Sequence, residues 1–296
     1  MTTTTSGRRA RHLLAAPDAD LTVRLLGPDS PPSLALRLPG DVPPPGLELL
    51  HGDPAAWGGE PDPLAGNELW RAVTPTTVLA GLRDTAIAAE LLEVLDFGRL
   101  NGLRFRMSTA RPATSRRDRR TDLGRTFGTV CALSTLLCWP GHAQAELTGG
   151  AARAATEALQ QVRVARHPGA ALALRWVVAL ATAFPGDPMA LTPLLLKLRW
   201  FEAGQDFLLP ARWPSALLSG DAVAVSGTGS TQVGAGLGAV APDGVAFVAG
   251  LEQRTSEQAA LPSDDALRRA LELVGRLVTT PAGARIGRRE VAGPSA

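Results

Sequence analysis

Between Gly220 and Leu251 the chain reads GDAVAVSGTGSTQVGAGLGAVAPDGVAFVAGL, and this stretch constrains the fold more than any other. One short apolar run ends at Ser226, a glycine-rich segment follows, and a second apolar run begins at Val245. Glycines at this density disfavour a helix between the runs, because each loses more backbone entropy on ordering than any other residue. The pattern predicts two strands joined by a glycine-loosened, bulged turn. The hydroxyls of Ser226, Thr228 and Ser230, with the backbone N–H groups around them, form a candidate anion-binding concavity. A tight hairpin whose glycines permit close backbone approach is the alternative. The nucleotide fingerprints are incomplete: a phosphate loop of the Walker type needs a lysine, and the chain's one lysine is Lys197.

Other elements follow from periodicity. LTVRLL and LALRL, within Leu21–Leu38, read as strands around the turn GPDSPP. Residues 39–66 are so rich in proline and glycine that neither helix nor ladder is expected, and this is where a subdivision of the domain would fall. A helix is expected from Thr76 or Thr77 to about Leu95, and a strand over Leu103–Met107 with Arg104 and Arg106 on one face. Further helices are expected over Asp122–Leu137, Ala151–Val164 and Ala170–Phe184, then a strand over Leu191–Phe201. A final helix should run from Asp264 or Asp265 to about Leu277, with Ser263 as cap, acidic residues in its first turn and an apolar stripe from Leu267 to Leu277. Strands and helices alternate without a strict βαβ rhythm. The fold expected is therefore α+β, a mixed or mostly antiparallel sheet packed against several helices. One globular domain over 21–278 is expected, between flexible tails at 1–20 and 279–296.

Composition limits the function classes. The chain has 296 residues, 45% of them apolar, and a net charge of +2, so no global field favours nucleic acid. Arginine has displaced lysine almost completely, as in a GC-rich, actinobacterial-type genome. No apolar run is long enough to span a membrane, and the N-terminal apolar patch is too short for a secretion signal. Cys131 and Cys138 lie seven apart on a helix, too far for a disulfide, and suit a cytoplasmic protein.

Two clusters carry candidate chemistry. His142 follows a helix break and has Glu146 four residues on, a spacing suited to a general base and its carboxylate partner. Eight arginines between Arg104 and Arg125, among them Arg104, Arg106, Arg116 and Arg117, form a basic patch that could hold a phosphate or a phosphopantetheine arm. With almost no aromatic residues among them, they do not suit single-stranded nucleic acid. Trp176, Trp200 and Trp213, with Phe201 and Phe207, suit a core or the wall of an apolar pocket. No metal-ligand spacing such as HExxH or CxxC occurs, and no cofactor is expected.

Val225–Ser230 followed by Ala241–Gly244 resembles the adenosine-side segment of sugar kinases of the actin-like ATPase superfamily. The acidic phosphate loop and Gly-Asp-Glu-Gly segment of those kinases are absent. The same stretch with residues 265–278 resembles the C-terminal part of condensation-type and chloramphenicol-acetyltransferase-like acyltransferases, whose His-His-x-x-x-Asp-Gly motif is also absent. Each resemblance covers fewer than 60 residues. The reading that results is a biosynthetic enzyme of specialised metabolism acting on an acyl substrate linked to CoA or a carrier protein. His142 would be its base, Ser226, Thr228 and Ser230 its ligand contacts, and the arginines the carrier's dock. Two alternatives stand beside it. One is a non-catalytic binding or assembly subunit of a biosynthetic complex, homo-oligomeric through the apolar segments 170–184 and 191–201. The other is a sugar-kinase-like phosphotransferase.

Overall fold

A computed structural model describes residues 13–15, 21–26, 32–38, 64–110, 122–161, 164, 168–227, 231–238, 242–252 and 263–279. Ten strands occur among them: β1 (Leu13–Ala15), β2 (Leu21–Leu26), β3 (Leu34–Leu38), β4 (Glu68–Ala72), β5 (Thr76–Leu82), β6 (Leu196–Phe201), β7 (Asp206–Leu209), β8 (Ser215–Ser219), β9 (Ala222–Gly227) and β10 (Thr231–Gly236). They form two five-stranded sheets, ordered β1-β2-β9-β4-β7 and β10-β3-β8-β5-β6. Every pairing is antiparallel.

The order has a simple origin. β2 pairs with β9, β3 with β8, β4 with β7 and β5 with β6. That is the pairing of one long antiparallel hairpin folded over into two facing sheets, a jelly roll. The fold is α+β, as expected, but with two sheets in place of one.

The helices occupy two places in the chain. Between β5 and β6 lie α1 (Thr85–Leu95), α2 (Asn101–Thr109), α3 (Asp122–Leu137), α4 (Gly141–Leu159), α5 (Pro168–Ala183) and the single turn α6 (Thr192–Leu195). Because β5 and β6 are direct neighbours, this helical block is inserted at the tip of a hairpin. After β10 come α7 (Gly244–Glu252) and α8 (Asp264–Thr279).

Period-two alternation then distributes three cores. Leu34, Leu36, Leu79 and Val233 join the helical insert and α7 in the largest cluster, on the outer face of the second sheet. Leu69, Val223 and Val225, on the outer face of the first, pack against Ala266, Ala270, Leu273 and Val274 of α8. Between the sheets lie Trp70, Ala72, Val78, Ala80, Phe201, Leu209, Ala222 and Ala224. Phe201 and Phe207 stack there with centroids 3.7 Å apart.

Several local expectations are corrected. Thr76–Leu82 is a strand; the helix begins at Thr85, where Oδ1 of Asp84 accepts from the N–H of Ala86 at 2.9 Å. Leu103–Met107 is helical: Leu103 and Met107, four apart, both bury on α2. α4 starts at Gly141 rather than Ala151. The strand expected over 191–201 forms only from Leu196, after a 3₁₀ turn and α6. Segments 170–184 and 191–201 supply this chain's own core, through Ala173, Leu174, Val177, Leu180, Leu194 and Leu195. Strand β1 lies inside the stretch read as an N-terminal tail.

The glycine-rich stretch is corrected most. β9 and β10 belong to opposite sheets, so this is a crossover and not a hairpin. The second strand is Thr231–Gly236, and the run from Val245 is helix α7.

Candidate ligand site between the sheets

At one end of the inter-sheet space the apolar filling gives way to charge. Arg24 of β2, Arg37 of β3, Glu68 of β4 and Gln232 of β10 line a small cleft with an accessible volume of about 70 Å³. Ser33, Ser215 and Trp70 contribute to the same walls, with Leu26, Ala35, Leu209 and Leu217. Strand parity turns these residues inward. Glu68 and Trp70 alternate with Leu69, which faces α8, and Gln232 precedes Val233, which faces the helical insert.

Glu68 is the centre of the cluster. Its carboxylate accepts from Nη2 of Arg24, and Nε of Arg37 lies 3.3 Å from the same oxygen. Nη1 of Arg24 also donates to Oε1 of Gln232, so one guanidinium links both sheets. Burial alone would raise the Glu68 pKa, but the charges of Arg24 and Arg37 outweigh it and hold the carboxyl below its usual 4.5. The Trp70 indole N–H faces the carboxylate and adds to this without making a well-formed hydrogen bond. Two guanidiniums thus face one carboxylate within the cleft.

The wall beside it is held by Asn67. Its Nδ2 donates to the Leu64 carbonyl at 2.7 Å, and its Oδ1 accepts from the Ala211 N–H at 3.2 Å. The Arg212 N–H donates to the Arg37 carbonyl at 2.8 Å, which ties the β7–β8 turn to the strand carrying Arg37.

Of the residues singled out in the sequence, Ser226 neighbours the cluster through the ladder but is not part of the cleft lining. It is fully buried on β9, directly opposite Glu68 in the ladder. Thr228, Ser230, Arg116 and Arg117 fall outside the described residues. His142 and Glu146 are exposed on the first turns of α4, and Glu146 is ion-paired with Arg99. Arg104 and Arg106 lie on α2, where Arg104 sits 3.4 Å from Glu93 and Arg106 is exposed. None of these four belongs to the cleft lining.

Sequence reasoning passed over Arg24, Arg37 and Glu68 because alternation alone says that a charge between apolar neighbours faces water. Here both faces of each sheet are covered, one by helices and one by the other sheet. The available signal was repetition. LTVRLL, LALRL and ELWRA each place an ionisable residue inside an apolar strand, and only mutual pairing makes that tolerable.

No known protein family is matched by the sequence, and no curated protein matches it. Solved structures do share the fold. A zinc-bound mannose 6-phosphate isomerase aligns at 19% identity and a TM-score of 0.52, over 78% of this chain and 53% of that one. The apo form from Salmonella typhimurium aligns at 19% identity and a TM-score of 0.56, over 83% and 61%. A point mutant of phosphomannose isomerase from Salmonella typhimurium aligns at 18% identity and a TM-score of 0.57, over 83% and 61%. The chain therefore spans between half and two thirds of the length of these proteins.

This likeness overturns the reading as an acyl-transferring enzyme with a CoA- or carrier-bound partner, because the solved structures that share the fold are sugar phosphate isomerases. The structural footing of the two alternatives is corrected too. The apolar segments of the first are core, and the strand–turn–strand beneath the second is a crossover.

The zinc of one neighbour does not fit this cleft. No group of three or more His, Cys, Asp or Glu side chains gathers anywhere among the described residues. The cleft's carboxylate, Glu68, is already held by two guanidiniums, whose positive charge opposes a dication. No helix among the described residues is long and apolar enough to cross a membrane.

Proposed function

We propose that the protein binds a phosphorylated sugar in the cleft between its two sheets, through Arg24, Arg37, Glu68 and Gln232, without a zinc ion. The observation that carries this reading is the pair of guanidiniums, Arg24 and Arg37, lining one cleft between the sheets. Guanidiniums supply planar, permanently charged donors suited to phosphoryl oxygens. Glu68 and Gln232 supply acceptors for sugar hydroxyls, and Leu26, Leu217 and Trp70 an apolar wall for the C–H face. The sugar phosphates on which the structural neighbours act make the hexose phosphates the first ligands to try.

The geometry favours binding over isomerisation. Moving a proton between two sugar carbons needs a base whose pKa lies near the working pH. Glu68 is held below the ordinary carboxylate range and clamped by two cations, which makes it a weak base. Thermal-shift titration with mannose 6-phosphate, fructose 6-phosphate and unphosphorylated mannose separates the readings when combined with proton NMR of the sugar in heavy water. Stabilisation by the phosphorylated sugars alone, with no deuterium entering the sugar, is the expected result. Deuterium exchange at the carbon next to the carbonyl would favour an isomerase, and indifference to every sugar phosphate would exclude both.

A further inference from the structure

Arg24 and Gln232 bridge the cleft that they line. Arg24 stands on β2 of the first sheet and Gln232 on β10, the edge strand of the second. Nη1 of Arg24 donates to Oε1 of Gln232, so the bond runs from one wall of the cleft to the other. A second bridge joins the same two sheets, from Nε of Arg37 to Glu68 at 3.3 Å. The two differ in depth. The side chains of Arg37 and Glu68 are 11% and 5% exposed, whereas that of Arg24 is 24% exposed and Gln232 faces solvent. The Arg24–Gln232 bond therefore lies toward the mouth, and the Arg37–Glu68 pair lies deeper.

With its mouth bridged, the cleft has an accessible volume of about 70 Å³. Small-molecule sites usually offer roughly 300 Å³ or more. A hexose phosphate therefore enters only if the walls part, and the two bridges resist that unequally. Arg37 and Glu68 are a buried ion pair, costly to separate. Gln232 is a neutral acceptor at the surface, where water replaces a lost partner, so its bond to Arg24 makes only a modest net contribution. Arg24 stays anchored to Glu68 through Nη2 when that bond opens. Among the described residues β10 pairs with β3 alone, and its ladder slips register between Gly234 and Gly236, so it moves at less cost than a central strand. Resting on the sugar-phosphate reading, we infer that the Arg24–Gln232 bond is a strap that holds the ligand-free cleft closed, and that Gln232 gates entry. Release frees Nη1 of Arg24 for a phosphoryl oxygen and Oε1 of Gln232 for a sugar hydroxyl. The ligand takes over both ends of the bond it breaks.

Gln232→Met tests this, because it keeps the side chain's length and removes the acceptor. Stopped-flow mixing with mannose 6-phosphate can follow tryptophan emission, since Trp70 lines the cleft. Association should be about fivefold faster than in the unsubstituted protein, as for loss of one hydrogen bond that has to open first. A residue that only touches the bound sugar changes dissociation instead and leaves association nearly untouched. Without ligand, hydrogen exchange should quicken at the β10 amides and stay unchanged in β5 and β8. An association rate within twofold of the unsubstituted protein would overturn the inference and leave the sugar-phosphate reading standing. So would unchanged exchange on β10. Failure of the unsubstituted protein to bind any sugar phosphate would remove the reading and the inference together.

Discussion

Glu68 shows how one side chain can set the character of a site. Two guanidiniums converge on a buried carboxylate, and removing it takes an ion-pair partner from each. Breaking a buried ion pair from one side typically costs about 3–5 kcal/mol. Glu68→Gln should therefore lower the free energy of urea unfolding at pH 7 by roughly that amount. The effect should depend on pH in a definite direction. The folded-state pKa is held below the ordinary 4.5, so the carboxylate's contribution is fully present above pH ~4.5 and is lost as pH falls through the folded value. The gap between the two proteins should narrow below pH 4. A gap that stays constant down to pH 3 would mean that the ion pairs are not what the substitution removes.

At the scale of elements, the joint between the helical insert and the sandwich depends on Asp187. Its Oδ1 accepts from the Met189 N–H at 2.8 Å, which starts the 3₁₀ turn before α6. Its Oδ2 accepts from the Leu237 N–H at 2.6 Å, just after β10. Leu237 is held at φ 56°, a left-handed conformation unfavourable for leucine, and the Asp187 bond is part of what holds it there. Asp187→Ala should reduce stability by about 2 kcal/mol, with Asp187→Asn recovering part of the loss; denaturant titration reads both. Equal stability of the alanine variant would show that the joint rests on packing alone.

Legibility in the sequence varied by element for physical reasons. Helix α8 was readable in full because one apolar stripe, a serine cap and two first-turn acids all agree. Strand β5 was not, because Val78, Leu79 and Leu82 satisfy a helical period as well as a strand, and Thr74-Pro75 imitates a cap. The glycine-rich crossover misled for a related reason. Local sequence specifies that a chain turns, but not whether the strands on either side share a sheet.

In the molecule as a whole, charge sits where one long hairpin folds onto itself. Arg24, Arg37, Glu68 and Gln232 come from four strands spread over two hundred residues, and no local pattern could have joined them. Among the described residues chosen from sequence, Ser226 comes nearest, paired with Glu68 in the ladder because it ends the apolar run that becomes β9, but it does not line the cleft. His142 was chosen for its spacing to Glu146, but it faces solvent on the insert. The sandwich is shared with zinc-bound sugar phosphate isomerases, whereas the cleft described here is built around an internal ion-pair cluster.

Metal independence is therefore the sharpest prediction. Isothermal titration of the protein with mannose 6-phosphate should be run in the presence and absence of EDTA, beside Arg37→Met. Saturable binding with the same affinity under both conditions, weakened at least tenfold in the variant, is what a two-arginine site requires. Binding that vanishes with EDTA and returns with zinc, or that Arg37→Met leaves untouched, would contradict it.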